Sequence, residues 1–171
     1  MLDFFLQRSI KSGFRKYHRD SCFLNYSDIK AVLIFFDMEE WEDVKPIIEE
    51  LRTDGKRVTA WTIKKEVERK FSFPYYIRVV DTSAEVNWMR MLKPEVVSEF
   101  ERVEYDTLID FSHSDNDYLY YLLSRNKSRF CIGFMEREYK IYDFILLRDK
   151  ESETDLYESY QQLKNYLKQI Q

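Results

Sequence analysis

Apolar positions along the chain change period repeatedly, and each change marks an element. Over residues 2–17, Leu2, Phe5, Leu6, Ile10, Phe14 and Tyr17 recur at helical spacing, while Arg8, Lys11, Arg15 and Lys16 fill much of the remaining surface. This predicts an amphipathic helix with one basic side. Lys30 to Phe36 (KAVLIFF) is apolar without alternation, the pattern of a strand covered on both faces of a parallel sheet. Trp41, Val44, Ile47, Ile48 and Leu51 return to helical spacing and stop before Gly55. Pro46 removes a helical hydrogen bond and crowds the preceding turn, so this helix is expected to start late, near Asp43. Strands follow at Lys56–Ile63 and Pro74–Val80, separated by the charged connection Lys64–Lys70 (KKEVERK). Ser83–Lys93 reads as either a short helix or an ordered loop. Pro94 suits the first turn of a helix whose apolar side is Val96, Val97, Phe100 and Val103.

The chain is organised around Tyr105–Phe134. A strand over 105–111 leads into a polar loop, then a helix capped by Ser114 or Asp115 with Tyr118, Leu119, Leu122 and Leu123 inward. Ser128–Gly133 is the next strand, and Lys140–Leu147 (KIYDFILL) the sixth. The intervening MEREYK is too short for a crossover helix, which predicts a hairpin and an antiparallel last strand. Thr154–Ile170 reads as a capped amphipathic helix. The expected fold is α/β: a single-domain, three-layer, Rossmann-like and mostly parallel sheet of about six strands. Within 1–171, residues 1–20 form the basic helix, 28–148 the sheet core and 153–170 the C-terminal helix.

Composition narrows the function. Only three glycines occur in 171 residues, and they stand far apart, so neither a phosphate-cradling P-loop nor a G-x-G-x-x-G fingerprint exists. Two cysteines and two histidines show no zinc-site spacing. No metal motif and no cofactor are expected. The apolar runs are too short for a membrane span, the start lacks a secretory cleavage site, and the sparse thiols suggest a cytoplasmic protein.

Charge is uneven. Through Arg19 the chain holds five cations and one carboxylate, a net +4; the whole is −4, so residues 20–171 carry −8. Either the basic helix simply packs with its cations near an acidic body, or Arg8, Lys11, Arg15, Lys16 and Arg19 form a basic arm for RNA, an anionic membrane surface or another macromolecular partner. Nucleic acid is disfavoured by the acidic body, and the 13 Tyr and 13 Phe fall mostly in core-forming runs.

In an open α/β sheet, ligands bind beyond the carboxyl ends of the strands. That rule collects Asp37, Asp81, Thr82, Asp110, Ser112, His113, Ser114 and Asn116. These are the candidate small-ligand residues, for a sugar- or nucleotide-like molecule. Asp110 either accepts hydrogen bonds from adjacent loops or contacts such a ligand, or a metal, with Asp37 or Asp81. His113 among serines does not make a triad, since triads are drawn from separate loops. No catalytic residues are assigned, and the balance leans against an enzyme.

Taken whole, the motifs KAVLIFFD, GKRVTAW, NWMRMLKPE, YDTLIDFS, FCIGF, YDFILL and QQLKNYLKQI resemble an uncharacterised family of short bacterial proteins. Tyr105–Phe134 alone is also similar to the acceptor half of heptosyltransferase-type glycosyltransferases. Those enzymes need a second, nucleotide-sugar half for which this chain has no room. The similarity therefore implies a Rossmann-like half-domain rather than glycosyl transfer. The sequence-level expectation is a non-enzymatic binding protein.

Overall fold

A computed structural model describes residues 2–64, 72–148 and 155–171. The first helix, α1 (Leu2–Lys16), leads by an extended strap to β1 (Ala31–Phe35). A 3-10 turn, Met38–Glu40, runs into α2 (Trp41–Thr53), followed by β2 (Arg57–Lys64) and β3 (Ile77–Asp81). Then come α3 (Thr82–Glu85), α4 (Pro94–Glu101), β4 (Thr107–Asp110), α5 (Asp117–Leu123), β5 (Phe130–Gly133), β6 (Phe144–Ile145) and α6 (Leu156–Gln169).

The six strands form one sheet in the order β3-β2-β1-β4-β5-β6, and every adjacent pair is parallel. This is the Rossmann-like order, with the reversal between β1 and β4. All five residues of β1 are buried. Val32 and Ile34 join a core with α2 and α6, whereas Leu33 and Phe35 join one with α1, α4 and α5. Strand alternation therefore divides the same continuous apolar run between two helical layers.

The first helix is anchored by Leu6 and Ile10, both buried, and by close approach at Gly13. A Cβ there would lie 2.3 Å from Ser124 Oγ at the end of α5, so the two helices meet only because Gly13 has no side chain. On the opposite layer, Lys164 of α6 donates to Glu50 Oε1 (2.5 Å) and Asp54 Oδ2 (2.6 Å) of α2 and its cap. Tyr157 and Gln161 also donate to Glu50, and Tyr26 donates to Asp54. Burial pushes the Glu50 carboxyl up, but the donors from Lys164, Tyr157 and Gln161 prevail and hold it below its ordinary range. Lys164 and Tyr26 hold Asp54 low as well.

Several sequence expectations need correction. The last strand is parallel to β5, not antiparallel. Only Phe144 and Ile145 pair, so residues 134–143 are free to return across the sheet without a helix. Ile141 and Tyr142 bury on that return, and Tyr142 lies flat on Gly133, where a Cβ would come within 2.5 Å of its ring. The second helix starts at Trp41 rather than late, with Pro46 inside it. Pro46 is exposed, so the Glu42 carbonyl it leaves without a helical partner faces water. The third strand begins at Ile77 because Pro74–Tyr76 form a turn, with Ile77 N donating to Pro74 O (3.0 Å). Ser83–Lys93 is both alternatives at once: α3 occupies its start and an antiparallel bridge, Val86 with Leu92, closes a loop. The connection after Lys64 and the predicted helix start at Thr154 lie outside the described residues; the observed cap of α6 is Asp155, accepting from Glu158 N (2.7 Å). Among the described residues, no helix is long and apolar enough to cross a membrane.

Two outcomes follow from this packing. Gly133→Ala forces Tyr142 off the sheet and should cost about 1–3 kcal/mol in urea unfolding, with Gly133→Val costing more. The Lys164 cluster sets an acid limit: Glu50 and Asp54 are held low when folded, so their stabilisation is present above the ordinary carboxylate range and is lost as pH falls through the folded values. Lys164→Met should lower stability at pH 7 by about 1–3 kcal/mol, and the deficit should shrink on titration below about pH 4, followed by denaturant midpoint.

Candidate functional site

The chain leaves β1 toward one side of the sheet and β4 toward the other, which opens the usual ligand crevice between the two exits. Here that crevice is bridged from within. Asp37, just after β1, accepts through Oδ2 from the backbone N–H of His113 (2.7 Å) and of Ser114 (3.0 Å), and through Oδ1 from Ser114 Oγ (2.5 Å). The donors that would meet an incoming anion are taken by the protein's own carboxylate. Phe35, Trp61 and Leu119 fill the space beside them, leaving a void of about 10 Å³, the lower limit for a single water.

Beneath the loop lies a second carboxylate. Asp110 ends β4 and accepts through Oδ1 from Ser112 N (2.9 Å) and Ser112 Oγ (2.5 Å), and through Oδ2 from Tyr142 OH (2.5 Å). Arg137 stands 3.4 Å from Asp110, and both side chains are wholly shielded from solvent. Its guanidinium donates to Tyr142 OH (2.7 Å), Ser114 O (3.1 Å), Ser112 O (2.9 Å) and Ser112 Oγ (2.8 Å). Burial, reinforced by the Asp110 charge, drives the Tyr142 hydroxyl far above its ordinary value, so it stays a donor. Burial alone would weaken the Arg137 charge, but Asp110 together with the hydroxyls of Tyr142 and Tyr120 more than offsets it. Every polar group of Asp110 has a protein partner, and it offers no free edge to a substrate.

The other sequence candidates separate. Asn116, not Ser114 or Asp115, caps α5, accepting from Tyr118 N (2.9 Å) and Leu119 N (3.3 Å). Asp81 caps α3 through Ser83 and pairs with Lys64 (3.3 Å), and Thr82 Oγ1 donates to Lys64 O. Both sit beyond β3, three strand spacings from β4, or roughly 14 Å, and do not share a cleft with Asp110. Arg8, Lys11, Arg15 and Lys16 lie exposed on α1. Arg19 does not join them: it is pulled inward onto Asp143 (3.0 Å) and the Ser128 carbonyl (2.9 Å).

Residues that sequence reasoning missed complete the picture. His113 Nδ1 lies 3.0 Å from Glu40 Oε1, while Arg148 meets His113 Nε2 at 3.0 Å and approaches Glu40 at 4.0 Å. The bond to Glu40 raises the imidazole pKa, against an opposing effect of burial. Asp37, Glu40 and His113 each present one ligand-type atom, all within 4.8 Å of one another. His113 stands far in sequence from Asp37 and Glu40, so Cys and His spacing could not reveal the group. Arg137 was hidden in a run that read as a hairpin turn, and Tyr142 in an apparent strand.

The match to a family of unknown function, DUF6913, covers residues 3–170, and the chain belongs to that family. No curated protein and no solved structure matches it.

The buried Asp110–Arg137 pair should behave as a unit. Arg137→Met strands a buried carboxylate and is expected to cost about 3–5 kcal/mol, whereas the double variant Asp110→Asn with Arg137→Met should recover much of that loss in a urea double-mutant cycle.

Proposed function

We propose that this chain works by binding rather than catalysis, docking the exposed face of α1 onto an acidic surface of another protein. The observation that carries the reading is the state of the helix's cations. Arg8, Lys11 and Arg15 make no ion pair with any described residue, although the rest of the chain is acidic. Lys16 lies only over the Tyr17 ring, at 5.7 Å. The helix holds to the body through its other side, by Leu6, Ile10 and Gly13, so the fold does not use this basic row. Phe4, 60% exposed, adjoins the row and lines a groove with Gln7, Arg8, Lys11 and Arg15 of about 510 Å³. An apolar anchor beside guanidinium groups is the composition of a protein-docking patch.

A nucleic-acid partner fits less well, because the remainder of the surface would repel phosphates. A sugar- or nucleotide-like ligand at Asp110–Asn116 fits less well too, since Asp37 already occupies the loop donors. The likeness of Tyr105–Phe134 to glycosyltransferase acceptor halves then concerns the fold alone. Free thiols at Cys22 and Cys131 suit a reducing compartment, and the reading places the protein in the cytoplasm.

The test reverses charge without touching the buried side of the helix. A variant with Arg8, Lys11, Arg15 and Lys16 each changed to Glu should keep its circular dichroism and melting temperature while losing the partner that cross-links to the wild-type protein in cells. Retention of the same partner by the reversed variant overturns the reading. So does charge-dependent binding to phosphatidylserine vesicles with no cross-linked protein.

A further inference from the structure

We infer that Asp37, Glu40 and His113 form a binding site for a divalent first-row metal ion, with zinc the best fit. This site lies on the outer side of the loop clamp and does not depend on the role proposed for α1. Three elements supply one ligand each: the end of β1, the 3-10 turn and the β4–α5 loop. Their ligand atoms fall within 4.8 Å of one another, so small side-chain rotations bring all three onto one ion. The 3.0 Å between His113 Nδ1 and Glu40 Oε1 matches two neighbouring ligands on an ion with bonds of roughly 2.1 Å.

A second observation points inward. Glu40 Oε2 is buried with no protein hydrogen-bond partner, an oxygen that a bound cation would meet. Asp37, by contrast, is already held by three donors from the loop, yet keeps a lone pair free for an ion. Such donors are the outer shell that orients a ligating carboxylate. One imidazole nitrogen and two carboxylates make a mixed N/O set, which favours zinc over the all-oxygen preference of magnesium. His113 is 39% exposed on its side chain, so the site has an entry path and room for water as a further ligand.

Arg148 is the competitor. Its donation to His113 Nε2 fixes the proton of the neutral ring on Nδ1, the atom that the metal needs. Binding therefore moves that proton to Nε2 and turns Arg148 away, with no net proton change from the neutral ring. The guanidinium charge also opposes a second cation. Removing Arg148 should strengthen the site, which a purely structural ion pair would not do.

The experiment titrates metal-stripped protein with Zn²⁺ alone, by calorimetry and by thermal melting. The expected result is one saturable site per chain with a raised melting temperature. His113→Gln and Glu40→Gln should each weaken binding by about tenfold or more, and Arg148→Ala should tighten it. Circular dichroism confirms that each variant is folded, and Cys22→Ser controls for thiol binding. Absence of saturable Zn²⁺ binding in both the wild type and Arg148→Ala overturns the inference. So does unchanged affinity in His113→Gln, or tighter binding of Mg²⁺ than of Zn²⁺.

Discussion

The structure rests on a strand that cannot face water on either side. All five residues of β1 are apolar and buried, so helices must cover both faces of the sheet it occupies. Parallel neighbours on each side then require return connections, and these supply the covering layers. With β2 on one flank and β4 on the other, the chain leaves the paired carboxyl ends of β1 and β4 in opposite directions. Among the described residues, that divergence creates a place where two loops face each other over the sheet. It is a consequence of burying β1, reached before any functional residue is considered.

What the protein does with that place is to close it. Asp37 ties down the loop from the β1 side, and Asp110, Arg137, Tyr142 and Ser112 tie it down from below. Buried charges are costly unless paired and hydrogen-bonded, and this set meets both conditions. Saturation leaves Asp110 no free edge, while His113 on the outer side of the loop stays exposed. Unspent polar capacity remains outside it, at Glu40 Oε2 and along α1 among other places.

The sequence made the layers legible because apolar periodicity reports burial directly. Leu33 and Phe35 against Val32 and Ile34 is a division that alternation alone anticipates, and the ends of α2 and α6 fell within a few residues of their apolar stripes. The direction of the last strand was not legible. Tyr142 and Ile141 carry strand-like character, but they are used to cover the sheet rather than to pair in it. Pro46 was misjudged because its cost depends on which side of the helix faces water. The candidate site was half visible: Asp37, Asp110 and Ser112–Ser114 were found from strand ends. Arg137, Glu40 and Arg148 were not, since their importance arises only from contacts across long sequence separations.

The brevity of β6 has its own significance. With two paired residues, Phe144 and Ile145, it ends the sheet while leaving scarcely any open row of amide and carbonyl groups along that margin. A longer strand built from the same apolar run would have offered a template on which a second chain could add by backbone pairing. By spending Ile141 and Tyr142 on the face instead, the protein limits strand addition at that margin, in the way the last strand arrives.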